Sequence, residues 1–139
     1  MNYGAFEVAG VDEDAIDEAV RTLLEAIDTG DLETVLALCT DDVVFIGSGE
    51  GEQAVGRPQI AAMFETVASL AGDTDFRTTF PHIDVEVFGG VALASAFGTG
   101  TLVDAGGAHN SEYRMTAVFV DIDGEWLLAS YHGSEPAPW

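Results

Sequence analysis

The chain of 139 residues is long enough for one compact domain and too short for two ordinary ones. Hydrophobic residues make up 47% of it, a share that excludes a disordered chain. Its 25 Asp and Glu residues oppose only 4 Lys and Arg residues, which gives a formal net charge of −21. Four cations cannot build the basic surface that nucleic acid or an anionic membrane requires, so neither is expected as a partner.

The chain carries no sign of export. Its first ten residues contain neither the basic nor the apolar segment of a secretory signal, and no apolar run reaches the length of a membrane span. One cysteine excludes an internal disulfide framework. We therefore expect a cytoplasmic protein. Its acidity indicates either an ordinary acidic protein or adaptation to high intracellular salt, and the absence of lysine favours the second interpretation.

The first half of the sequence predicts three helices. They span 12–29, 32–39 and 57–71, with a short strand at 43–46 and a glycine-rich loop or weak hairpin at 47–56. Asp31 caps the second helix, Pro58 opens the third, and Gly72 ends it. The first helix has one apolar stripe, and we expect its acidic residues, from Asp14 to Asp28, to face solvent.

The second half predicts four strands, because the apolar period changes from 3.6 to 2 after Gly72. They cover 76–88, 91–103, 113–122 and 125–132, with hairpin turns at Gly89-Gly90 and Asp123-Gly124. The apolar parity flips at Pro81-His82, which predicts a bulge and a sharp bend. We expect an α+β fold in which three N-terminal helices pack in a strongly bent antiparallel sheet, forming a cone-like barrel whose mouth is a default ligand site.

Two segments resemble a known superfamily. Residues 30–71, GDLETVLALCTDDVVFIGSGEGEQAVGRPQIAAMFETVASLA, resemble the SnoaL-like branch of the nuclear transport factor 2-like superfamily. The stretch YRMTAVFVDIDGEWLLASYHGSEPAP is similar to the association domain of calcium/calmodulin-dependent kinase and its bacterial stand-alone relatives. The shared features, in order, are Arg114 and Thr116, Asp123-Gly124, Trp126, then His132 and Ser134. The resemblance covers residues 12–136 of a domain that we expect to span 1–139.

The resemblance implies a cone-shaped barrel, a pocket inside the cone, and dimers formed through the open sheet face. It does not imply one activity, since the superfamily includes isomerases, cyclases, dehydratases, epoxide hydrolases and modules that only bind or assemble. Kinase association domains place further pocket arginines on the last strands. This chain has Ala117 and Gly133 at two such positions, which argues against a strongly anionic ligand.

The last hairpin can be laid out from its turn. With Asp123-Gly124 as the turn, Met115 lies opposite His132. One face then carries Tyr113, Met115, Trp126, Ser130, His132 and Ser134. The other carries Arg114, Thr116, Val118, Val120, Leu127, Ala129 and Tyr131. Strand parity does not decide which face lines the cone.

His132 and Arg114 are the candidates for chemistry. His132 titrates near neutrality and could serve as an acid or base, or it could be a structural residue bonded to Ser134. Arg114, if buried, requires either an anionic ligand or a carboxylate partner. The acids that could pair with it are Glu112, Asp84 and Glu86. The predicted ligand contacts are Arg114, Tyr113, His132, Trp126, Phe64 and Phe45.

We expect neither a metal nor a cofactor. The three histidines, His82, His109 and His132, lie far apart, and the chain contains no P-loop or dinucleotide fingerprint. Cys39 falls on a helix stripe and is expected to pack in the core.

The sequence predicts a non-catalytic small-molecule-binding or assembly domain with an apolar cone. The alternative is a lyase, isomerase or cyclase acting on a hydrophobic carbonyl compound, with His132 and a tyrosine or carboxylate as acid and base. Strands as apolar on both faces as 91–103 predict a homodimer, and a small hydrophobic molecule is the other expected partner.

Overall fold

A computed structural model describes residues 5–138, with side chains from Asp12 onward. The helices are α1 (Ala5–Thr29), α2 (Leu32–Ala37) and α3 (Arg57–Ala71). The strands are β1 (Cys39–Ile46), β2 (Gln53–Val55), β3 (Asp75–Thr79), β4 (Asp84–Phe88), β5 (Val91–Asp104), β6 (Gly107–Ile122) and β7 (Glu125–Ser134). The α+β class is confirmed, and the β1–β2 hairpin separates the second helix from the third.

Seven strands form one mixed sheet. Its order is β2-β1-β7-β6-β5-β3, and β4 also pairs with β5. The prediction of a wholly antiparallel sheet is wrong at one place, because β1 runs parallel to β7. No short turn joins these two strands, so nothing constrains them to pair as a hairpin.

The predicted strand 76–88 is two strands that share one partner. Both β3 and β4 pair with β5, where Thr79 lies opposite Thr99 and Asp84 opposite Ser95. Between these pairs, residues 80–83 oppose 96–98, so the β3–β4 side has one residue more than β5. The extra residue accounts for the parity flip that the sequence shows at this point.

The core lies between α1 and one face of the sheet, here called the inner face. The predicted helix stripe is fully buried at Ile16, Val20 and Leu23. From the sheet, Phe119 and Leu128 belong to the same cluster and are also fully buried. On β5 the inward positions are alanines (Ala92, Ala94 and Ala96), whose small side chains leave room for the helix. None of the described helices combines the length and the apolar character that spanning a bilayer requires.

The register of the last hairpin differs from the prediction. Met115 lies opposite Gly133, not His132, and His132 lies opposite Thr116. The cause is an irregularity in β7: Phe119 pairs with Leu128 and Val118 with Ser130, so Ala129 is an extra residue. A one-residue shift moves every following side chain to the other face. Tyr131 therefore joins the inner face, and His132 points away from it.

Gly98 permits the close approach of β3 to β5. A Cβ at this position would collide with the Thr79 carbonyl oxygen and the Phe80 ring. We expect Gly98→Ala to lower the free energy of unfolding by about 1–3 kcal/mol, the usual cost of overpacking. Gly90→Ala is the matched control, because no atom lies within 4 Å of its Cβ position. Urea unfolding measures both, and equal midpoints for the two variants would contradict the close approach.

Candidate functional site

A cavity of about 1050 Å³ lies between α1, α3 and the sheet. Its apolar lining comes from all three: Leu24, Ile27, Phe45, Met63, Phe64 and Phe76. Leu24 and Ile27 belong to the last turns of α1, and Met63 and Phe64 to the middle of α3. The two helices therefore supply one wall and the sheet the other.

Aromatic rings dominate the sheet wall. Phe45 stacks on Tyr131, with ring centroids 4.8 Å apart and planes 12° from parallel. Phe64 meets Phe45 edge to face at 6.5 Å. On the other side of the wall, Phe76 lies 5.8 Å from Tyr113. The parallel pairing of β1 with β7 places Phe45 directly opposite Tyr131.

Two tyrosine hydroxyl groups form the polar part of this wall. Tyr113 is 5% exposed and Tyr131 is 3% exposed. Burial raises the pKa of Tyr113, against smaller opposing effects of hydrogen bonds with Tyr131 and Ser48. Burial also raises the pKa of Tyr131 well above its ordinary value. Both phenols are therefore neutral at neutral pH. Each has a single O–H, and because the two hydroxyls are bonded to each other, one donor is left for Ser48 or a ligand.

Gly133 makes room for one of these hydroxyls. A Cβ at this position would collide with the Tyr113 hydroxyl oxygen. Gly133 lies on the inner face of β7, opposite Met115. The absence of a side chain there is what allows the Tyr113 phenol to extend across β7.

Asp28 brings a carboxylate into the cavity, and the expectation that it faces solvent is wrong. It follows Leu24 by four residues, so both project from the same side of α1 toward the cavity. Its Oδ2 accepts a hydrogen bond from the backbone N–H of Thr78 at 3.1 Å. Burial raises the pKa of Asp28, although the Thr78 hydrogen bonds and nearby Arg77 oppose the rise. The i, i+4 relation to Leu24 was the signal that could have identified it.

Four more carboxylates line the cavity: Glu50, Glu52, Asp75 and Glu135. Asp75 is paired with Arg77 at 3.0 Å, and Glu135 accepts a hydrogen bond from Ser111 at 2.8 Å. No arginine belongs to the lining that the structure describes; His109 is its one basic side chain. The cavity is thus apolar and aromatic at its walls and carries negative charge.

Three of the six predicted ligand contacts line this cavity. Phe45, Phe64 and Tyr113 do so together, on β1, α3 and β6. Trp126 lies elsewhere, half-buried against the core, and its Nε1 donates to Asp12 Oδ1 at 3.2 Å. His132 is exposed on the outer face of the sheet, opposite Thr116, because of the extra residue in β7.

Arg114 is also on the outer face. Its Nε donates to Ser134 Oγ at 3.2 Å, and it lines a separate hollow of about 510 Å³ with Phe97. Among the described residues, no carboxylate lies within 4.0 Å of Arg114, so the pairing considered for Glu112, Asp84 or Glu86 does not form.

Cys39 is a packing residue, although it is the first residue of β1 and does not lie on a helix. It is buried, and burial raises the pKa of its thiol to about 11. A thiol with so high a pKa is a poor nucleophile at neutral pH. The described His, Cys, Asp and Glu side chains include no group of three that could hold a metal ion.

The raised pKa of Asp28 predicts the pH dependence of stability. A carboxyl group whose pKa is higher in the folded state favours folding when protonated, so its ionisation costs stability as pH rises above 3.8. We expect Asp28→Asn, whose amide oxygen can still accept from Thr78, to raise the melting temperature at neutral pH. The gain should shrink as the pH is lowered toward 3.8 and below.

Asp14→Asn is the control for that experiment, because Asp14 is exposed on the same helix and its replacement removes the same charge. A thermal melt at each pH gives the comparison. An Asp28→Asn protein no more stable than Asp14→Asn at neutral pH would contradict the buried, ionised carboxylate.

Solved structures share the fold at low sequence identity. A nuclear transport factor 2-like protein with a cystatin-like fold from Novosphingobium aromaticivorans is 20% identical, with a TM-score of 0.78 over 94% of this chain and 86% of that one. A Xanthomonas campestris protein, proposed to be a calcium/calmodulin-dependent protein kinase II association domain, is 24% identical, with a TM-score of 0.72 over 89% and 87%. A Streptomyces avermitilis protein of the nuclear transport factor 2-like family, proposed to be a dehydratase, is 18% identical, with a TM-score of 0.78 over 93% and 99%.

No curated protein matches the sequence. The family model of the SnoaL-like domain matches residues 16–138, which is most of the chain. The resemblance seen in the sequence is therefore confirmed, and the chain belongs to the SnoaL-like domain family.

Proposed function

We propose that the chain binds a small, mainly apolar molecule in the cavity between α1, α3 and the sheet. The observation that carries the proposal is the cavity itself, whose 1050 Å³ is ample for a drug-sized ligand. Ligand sites are typically apolar with a few convergent polar groups, and the Tyr113 and Tyr131 hydroxyls meet that description. Their neutral phenols suit a ligand with a hydrogen-bond acceptor at one end.

The expected cone is part of this proposal. Support comes from the extra residue at 80–83, since a bulge of this kind bends a sheet. Arg21 Nη1 donates to the Phe80 carbonyl oxygen at 3.2 Å, which ties α1 to the same point of the sheet. A sheet bent here would curve around α1 and close one side of the cavity.

An acid–base enzyme is the second candidate. Asp28 favours it, because a carboxylate with a raised pKa inside a cavity is typical of catalytic acids and bases. His132, the acid or base expected from the sequence, lies on the opposite face of the sheet from Tyr113, and catalysis in the cavity would have to proceed without it. We rank binding first for that reason.

Binding can be tested with Nile red, a neutral apolar dye that fluoresces when it leaves water. We expect it to bind, and Phe64→Ala to weaken binding about tenfold through lost apolar contact. Phe88→Ala is the matched control, since Phe88 is 60% exposed on β4 and lies outside the cavity. A dye that does not bind, or that Phe88→Ala weakens as much as Phe64→Ala, would contradict the proposal.

We also propose a homodimer formed through the outer face of the sheet. Apolar side chains are exposed across it on two strands, β1 and β5: Val44, Ile46, Leu93 and Phe97. Exposed carboxylates share this face, since Glu86 lies opposite Leu93 and Asp84 opposite Ser95. We therefore expect a second copy to pack there more tightly at high salt, where these charges are screened.

Size-exclusion chromatography with light scattering tests the dimer at low and high salt. We expect a dimer for the native chain and a monomer for Leu93→Asp, because the new carboxylate would be buried at the interface. Leu70→Asp, on α3 and 81% exposed, adds the same charge away from the sheet and should remain dimeric. A native chain that is monomeric at every salt concentration would refute the dimer.

A further inference from the structure

We propose that the cavity selects an organic cation, a protonated amine with an apolar body, over neutral and anionic molecules of the same shape. This inference rests on the proposed binding function and names the ligand class that the cavity prefers. It is carried by the charges that line the cavity and by the aromatic character of its wall.

Carboxylates approach the tyrosine hydroxyls from three parts of the chain. Asp28 comes from α1, Glu52 from the loop before β2, and Glu135 from the segment after β7. Asp28 and Glu52 both act electrostatically on Tyr131, and Glu52 and Glu135 act on Tyr113. The part of the cavity lined by the two tyrosines therefore carries negative charge.

The cations of the chain do not cancel these charges. Arg21 and Arg57 pair with acids outside the cavity, Asp17 and Asp41. Arg114 lies on the outer face of the sheet. Arg77 neutralises Asp75 at the rim and partly offsets Asp28, and no arginine reaches Glu50 or Glu52 within ion-pair distance in the described part of the chain. An anionic ligand would meet net repulsion here and a cation net attraction.

The aromatic wall suits the same ligand. Phe45, stacked on Tyr131, and Phe64, set edge-on to Phe45, line the same cavity. Ring faces attract ammonium groups, and the attraction strengthens where water is excluded. Aromatic faces combined with carboxylates form a common recognition chemistry for amines.

A metal ion fits the site less well than an organic cation. The acidic, histidine and cysteine side chains of residues 12–138 include no group of three close enough to ligate one ion. Carboxylates spaced around the cavity without converging favour a cation whose apolar body fills the space between them.

Displacement of Nile red by three isosteric probes tests the charge preference at neutral pH and about 0.15 M salt, where distant charges are screened. The probes are 4-phenylbutylamine, 4-phenylbutan-1-ol and 4-phenylbutyrate. We expect the amine to displace the dye at a concentration about tenfold lower than the alcohol, and the carboxylate to be the weakest. Asp28→Asn and Glu52→Gln should each reduce the amine-to-alcohol preference about threefold.

Glu86→Gln is the matched control, because Glu86 is exposed on β4, outside the cavity, and its loss changes the net charge equally. It should leave the preference unchanged. Equal displacement by amine and alcohol would overturn the charge selection and leave the binding function standing. If Glu86→Gln lowers the amine-to-alcohol preference as much as Asp28→Asn does, the preference comes from the net charge of the protein and not from the cavity, and the inference is overturned. Failure of Nile red itself to bind would overturn both proposals.

Discussion

The extra residue in β7 determines which side chains reach the cavity. Between Leu128 and Ser130 the strand carries Ala129 without a partner on β6, so the residues that follow change face. Tyr131 then turns inward to stack on Phe45, and Gly133 turns inward beneath Tyr113. Without this residue, His132 would face the helices and the tyrosine pair would be divided between the two faces of the sheet.

The local signals in the sequence were sufficient for most of the secondary structure. Pro58 and Gly72 bound α3 where they were expected to, and the Asp123-Gly124 turn places β6 beside β7. These features depend on residues close together in the chain. The parallel pairing of β1 with β7 was not predicted, because it joins segments that no turn connects.

The candidate site was predicted in part. Phe45, Phe64 and Tyr113 are large apolar or aromatic residues on elements that the sequence assigned correctly, so their convergence follows from the fold. The prediction that His132 shares a face with Tyr113 and Met115 was wrong, since an irregularity such as that at Ala129 leaves no mark in so short and mixed a strand. Asp28 was grouped with the exposed acids of α1, because the predicted apolar stripe left out Leu24, the buried residue four positions before it. The acidic residues of the chain therefore line the cavity as well as the solvent-exposed surface.

The stacking of Phe45 on Tyr131 has a consequence for how the protein reaches its native state. The two rings are held by strands far apart in the sequence, and β7 is synthesised after all the other described helices and strands. Contacts of such long sequence separation form late, because the entropy of closing the loop between them must be overcome first. The helical wall and the central β5–β6 pairing can assemble before that, but the aromatic wall is complete only after β7 docks. A nascent or truncated chain lacking β7 would lack Tyr131, and with it the aromatic wall of the site.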